Sequence, residues 1–133
     1  MNEFTLYFVE EIDKTIVYDF NGIRSIASNY KKILNRVCEK ELITLKGRIE
    51  VIAKIVNRSN NVPLYINDRL LFFKIRAINN IWINYFNILE YQNKNGKTIV
   101  IFKNGETLLI NKKMKYFKEI IKTVKKITFY AQK

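Results

Sequence analysis

A chain of 133 residues with 48% hydrophobic and 27% charged residues is long enough to bury a core in one domain, and four Gly and one Pro leave no room for a low-complexity linker. Its 24 Lys and Arg against 12 Asp and Glu give a formal net charge of +12, a surplus that an acidic small-molecule ligand does not account for and that makes a polyanion the natural partner. With no His and one Cys, the chain lacks the residues for Ser-His-Asp triads, Cys-His dyads, zinc clusters and disulfide frameworks, so a non-enzymatic protein without cofactor or metal is expected.

The charge is uneven along the chain. Residues 1–23 carry five acids and one base, whereas residues 24–133 carry seven acids and 23 bases, a net +16. Residues 4–9 and 15–20 are rich in β-branched and aromatic side chains and read as two opening strands around an acidic turn holding Glu10, Glu11 and Asp13. From Ser25, a candidate cap, the period becomes helical through Ile26, Tyr30, Ile33, Leu34, Val37 and Cys38. Cys38 lies on that apolar stripe and reads as a core residue of a reduced, cytosolic protein. A second helix is expected on Leu42, Leu45, Ile49, Ile52 and Val56, with Gly47 costing about 1 kcal/mol against Ala and marking a bend. Residues 57–61 end it as a polar loop.

Beyond the only proline, residues 62–66 and 70–75 predict strands around a turn at Asn67-Asp68, and the short apolar segment through Trp82-Ile83-Asn84 follows. Asn95-Gly96 and Asn104-Gly105 both accept positive φ at successive positions, so three antiparallel strands are expected at 88–92, 97–103 and 106–110. A two-residue turn at Asn104-Gly105 would set Ile101 opposite Leu108. A closing helix from about Lys112 has its apolar stripe on Met114, Phe117, Ile120, Ile121, Val124 and Ile127 and lysines on the other face. No apolar run approaches the ~20 residues of a membrane span, and the amino terminus lacks the basic cluster of a secretory signal. The fold expected is α+β, a single domain with a mainly antiparallel sheet, two central helices and a basic C-terminal helix.

Several of these residues stand at fixed offsets: Arg36-Val37-Cys38, Gly47-Arg48, Pro63 fifteen residues after Arg48, Phe72-Phe73, Trp82-Ile83, and Ile101-Phe102 ahead of Asn104-Gly105. This pattern resembles the ComK family of competence transcription factors over about residues 10–126. The resemblance implies an oligomer that binds paired AT-rich boxes in promoter DNA, approaches the minor groove and activates genes for DNA uptake. Longer members continue past the last helix whereas this sequence stops at Lys133, so it is expected to be a short form. Engagement of a proteolytic adaptor, associated with that extension, is left open. The last third is also similar to the end of LytTR-type DNA-binding domains, in Trp82-Ile83-Asn84, Ile88, Asn104-Gly105 and Asn111-Lys112-Lys113; that likeness implies DNA contact near Asn84 and Lys113.

The candidate DNA-binding residues are Arg48, Arg58, Arg76, Asn84, Lys112, Lys113, Lys115, Lys118 and Lys122. Arginines are few in this lysine-biased chain, and a guanidinium inserts well into the narrow minor groove of A-tracts. Pairing with Glu41 or Glu50 is the structural alternative for Arg48, and a plain loop charge the alternative for Arg58. Lysines on the last helix would add affinity without sequence choice, although a lysine-rich composition also produces a merely solvated face. The partners expected are double-stranded DNA and further copies of the chain, without a membrane, in the cytoplasm with the nucleoid. Two alternatives stay open: a nonspecific RNA-binding module, and a short relative that pairs with a full-length family member and modulates it. Exposure of Trp82 separates duplex binding from RNA binding, because single-strand recognition uses exposed aromatics.

Overall fold

The computed structural model describes residues 1–132. Strands β1 (Thr5–Glu11), β2 (Lys14–Asp19) and β3 (Gly22–Ile26) form an antiparallel meander, followed by helices α1 (Tyr30–Lys40) and α2 (Leu45–Val56). Strands β4 (Leu64–Asn67), β5 (Leu70–Ile75) and β6 (Ile81–Asn84) form a second meander. The two join edge to edge through β1 and β6, giving a six-stranded antiparallel sheet in the order β3-β2-β1-β6-β5-β4. After a 3-10 turn at Tyr85–Asn87, β7 (Ile88–Lys94), β8 (Lys97–Phe102) and β9 (Thr107–Ile110) make a three-stranded sheet, and α3 (Met114–Ala131) closes the chain. This is the α+β, antiparallel architecture that the hydrophobic periods and Asn-Gly turns imply.

Four local expectations are corrected. Ser25 and Ile26 belong to β3, paired with Ile16 and Thr15, and the cap of α1 is Asn29, whose side-chain oxygen accepts from the Lys32 N–H at 3.0 Å. The turn at Phe20-Asn21 folds the chain back on β2 before the helix begins. Leu42 lies outside α2, 93% exposed and at φ 59°, because Thr44 caps that helix through the Gly47 N–H at 3.0 Å. Gly47 therefore makes room rather than a bend, since a Cβ there would stand 2.9 Å from the Thr44 hydroxyl oxygen. In the last hairpin Ile101 faces Thr107 and Val100 faces Leu108, one residue from the expected register. Phe102 N–H bonds to the Glu106 carbonyl, so the loop has an odd length with Gly105 at φ 90°, the position where a β-bulge loop calls for glycine.

Both faces of the six-stranded sheet are buried along β5 and β6, which is why Leu70, Leu71, Phe72 and Phe73 form one apolar run without alternation. Phe8, Val17, Phe72 and Trp82 pack under α1 and the start of α2, with Leu34, Cys38 and Leu45. On the other face Leu6, Leu71, Phe73, Ile75 and Ile83 meet Val100 and Phe102 of the small sheet and Phe117, Ile121 and Val124 of α3. A bulge between Thr5 and Tyr7 lets Leu6 and Phe8, both even-numbered, serve opposite faces. Each such fully buried Phe, Leu or Ile contributes about 1.5–3 kcal/mol. Ile52, Val56, Val62 and Ile127 form a further cluster that locks α2 to α3. Burial pushes the Cys38 thiol above its ordinary pKa, as suits a core residue.

Candidate nucleic-acid interface

Three stretches of chain far apart in sequence meet beside the end of β5. Arg58, Asn61 and Pro63 come from the α2–β4 loop, Phe73, Lys74 and Arg76 from β5 and the residue after it, and Lys113, Lys115, Tyr116, Glu119, Ile120 and Thr123 from the start of α3. Together they line a cleft of about 620 Å³. Its floor is apolar, from Pro63, Phe73, Tyr116 and Ile120, and its rim is cationic, with Arg58, Arg76, Lys113 and Lys115 against the single carboxylate of Glu119, while the Lys74 ammonium is turned to the other face of the sheet, 5.6 Å from the Trp82 ring centroid.

Each cation has a local reason to be there. Asn57 ends α2 in the left-handed conformation at φ 55°, and the Arg58 N–H closes back on the Ala53 carbonyl at 3.0 Å, so the chain leaves the helix with Arg58 exposed. Arg76 follows Ile75, the last β5 residue paired with β6, and is exposed where the ladder opens. The buried Thr98 hydroxyl donates to the Lys112 carbonyl at 2.9 Å and fixes the approach to α3, with Lys113 at the N-cap. The first turn of α3 holds no acid, so the positive end of the helix dipole adds to the field of Lys113 and Lys115.

Ion pairing leaves this rim alone. Among the described residues the ion pairs are Glu11–Lys14, Asp19–Arg24 and Glu3–Arg69, each involving an acid from the first 19 residues, and none includes a cleft cation. The cleft thus combines uncompensated positive charge with an apolar floor, a combination suited to an extended anion that also carries flat or apolar surface.

The structure brings four of the nine candidates together in this cleft: Arg58, Arg76, Lys113 and Lys115. Lys112 stands at its margin, half-buried, with its ammonium 5.0 Å from the Tyr116 ring centroid. Lys118 and Lys122 are exposed farther along the helix. At ~1.5 Å rise per residue the stripe from Lys115 to Lys122 continues the cationic rim for about 10 Å. Arg48 is elsewhere: its guanidinium lies 5.4 Å from the Tyr65 ring centroid and donates to the Ile66 carbonyl at 3.4 Å, holding α2 on β4 instead of pairing with Glu41 or Glu50.

Asn84 is a correction. A groove-entering loop residue was expected, yet Asn84 is 0% exposed at the end of β6. Its amide nitrogen donates to the carbonyls of Thr5 and Arg69 at 3.0 and 3.1 Å, and its oxygen accepts from the Leu71 N–H at 3.2 Å. It satisfies backbone groups of β1 and β5 where the ladder ends, a role that needs both halves of an amide and no solvent.

Lys74 and Asn61 were not singled out in the sequence. Lys74 sits inside an apolar strand and Asn61 in a polar loop, and neither shows a period or motif that would mark it. Trp82 is 3% exposed and forms a triangle of rings with Phe8 and Tyr30, at centroid distances of 6.0 and 5.2 Å, and Phe72 and Phe73 are equally enclosed. No helix among the described residues is long and apolar enough to cross a membrane.

Compared with known proteins, residues 2–133 match the family described as ComK protein. No curated protein and no solved structure matches the chain.

Proposed function

The chain belongs to the ComK family of competence transcription factors, and from that premise we propose that its basic cleft grips double-stranded DNA at AT-rich promoter sites to activate DNA-uptake genes. The observation that carries this reading is the meeting of Arg58, Arg76, Lys113 and Lys115 from three chain segments, continued by the lysine stripe of α3. In this reading the two arginines enter the narrow, electronegative minor groove of AT-rich DNA while Lys115, Lys118 and Lys122 follow the phosphates. Paired boxes are occupied by more than one copy, in the cytoplasm with the nucleoid. The enclosure of Trp82, Phe72 and Phe73 favours duplex over single-stranded RNA, because those rings are not free to stack on bases.

Fluorescence anisotropy with AT-rich duplex, GC-rich duplex and matched single-stranded RNA tests the proposal. The AT-rich duplex is expected to bind tightest, with log affinity falling linearly in log salt by about 0.9 per phosphate contacted. RNA binding as tight as duplex binding, or duplex affinity indifferent to salt, overturns it.

A further inference from the structure

We propose that Ile78 is a wedge that enters the base stack of the bound duplex and kinks it at one step. The proposal rests on the duplex-binding reading above and adds how the DNA is deformed. Ile78, in the five-residue loop between β5 and β6, is 103% exposed, so nothing in the fold covers it. The loop that carries it is braced. The Ala77 N–H donates to the Asn80 side-chain oxygen at 3.2 Å, the Asn80 amide donates to the Glu10 carboxylate at 3.0 Å, and the Glu10 N–H bonds to the Asn80 carbonyl at 2.9 Å. A β-branched side chain on such a loop is stiff at χ1 and loses little freedom when it is inserted.

Two other apolar side chains are nearly as exposed, Leu42 at 93% and Ile12 at 89%. Leu42 follows Glu41, and Ile12 lies between Glu11 and Asp13, carboxylates that phosphates repel. Ile78 is flanked by uncharged residues and stands two positions from Arg76, a spacing that holds their Cα atoms within about 7 Å. It therefore stands beside Arg76 on the cationic rim of the cleft. A duplex drawn to that rim offers one apolar surface, its base stack, and partial insertion of Ile, Leu, Met or Phe at a base step is how minor-groove proteins bend DNA. Asn79, next in the chain and exposed, can donate to base-edge acceptors on the groove floor. The neighbouring β1–β2 tip is acidic and is tied to this loop through Glu10 and Asn80, so the duplex lies on the α3 side of the wedge.

The test uses the full chain with an AT-rich duplex carrying a donor–acceptor dye pair at its ends and, separately, 2-aminopurine at successive steps. Saturating protein should shorten the end-to-end distance and brighten 2-aminopurine at one step. Ile78→Ala should lose both signals and bind three- to tenfold more weakly, while Ile78→Leu retains them. A wild-type chain that binds the duplex without either signal, or an Ile78→Ala variant that bends it as wild type does, overturns the wedge and leaves duplex binding standing. A wild-type chain that does not bind duplex overturns both. Loss of self-association in Ile78→Ala, measured by sedimentation with bending unchanged, identifies Ile78 as a contact between copies and also overturns the wedge.

Discussion

The large sheet carries a helical layer on each face, and by charge alone the two are alike: α1 and α2 hold seven cations against two acids, α3 five against one. What separates them is convergence. On the α1–α2 side Lys31, Lys32 and Lys46 border a shallow apolar depression that draws on two helices adjacent in sequence, and Arg48 is spent on Tyr65 and Ile66. On the α3 side the helix start meets two loops that each deliver an arginine, and no ion pair neutralises them among the described residues. In a lysine-rich chain, the number of positive charges does not locate a polyanion site; the number of separate segments that bring them to one place does.

The sharpest division between scaffold and site is at Asn84, which underlies both layers. Asn84→Ala should cost about 3 kcal/mol, since several buried backbone groups lose their partner at once. Chemical denaturation measures that loss, and the affinity of the folded fraction for duplex should change by less than about twofold. Between the layers, the double variant Arg58→Ala, Arg76→Ala should weaken AT-rich duplex binding by about 2 kcal/mol, roughly 30-fold, whereas Lys31→Gln with Lys32→Gln should cost about threefold or less. Equal losses in anisotropy titrations would erase the distinction. Within the α3 side, Gly105→Val forces a β-branched residue to φ 90° and should lower stability by about 1.5 kcal/mol in thermal melts.

A pH-dependent effect concerns two tyrosines, one on each side of the large sheet. Burial, then the neighbouring Tyr18, raises the Tyr7 phenol to about 12. Burial, then the Glu10 carboxylate, raises Tyr30 to about 12. Both values lie above the unfolded value of about 10, so the stabilisation is fully present below pH 10 and is lost as the pH rises toward 12. Urea midpoints from pH 9 to 12 should fall more steeply for the wild type than for Tyr7→Phe or Tyr30→Phe, and absorbance at alkaline pH should show both phenols titrating late.

Much of this molecule is readable before its structure is known, and the unread parts have physical reasons. The turn dipeptides at Asn95-Gly96 and Asn104-Gly105 mark two hairpins, the second closing with a loop one residue longer than its dipeptide implies, and the unbroken 3.6-residue stripe of α3 is a local signal that tertiary packing does not overrule. Strand β3 gives no such signal, because its first four residues are exposed and it exists by pairing with β2 at the sheet edge. Arg58 and Arg76 stand out as scarce arginines at element ends. That they meet is not legible, since it depends on Ile52, Val56, Val62 and Ile127 holding α2 against α3. Asn84 misleads for the opposite reason: a polar residue closing an apolar strand resembles a loop contact, and only the three-dimensional ladder reveals the unpaired backbone groups it serves. Ile78 is silent because one apolar residue in a polar loop has no period.

The pairing of β1 with β6 joins the first strand of the chain to one that begins 70 residues after it ends. During synthesis, the opening meander leaves the ribosome with β1 as an open edge, its N–H and C=O groups unmet, until β6 arrives. At roughly 5–20 residues per second that interval is on the order of 4 to 14 seconds, long compared with the ~1–10 μs in which a hairpin forms. The nascent chain therefore spends seconds as a half-sheet open to the wrong partner, so translation speed through residues 12–81 and chaperone cover over β1 become determinants of how much protein reaches its folded form.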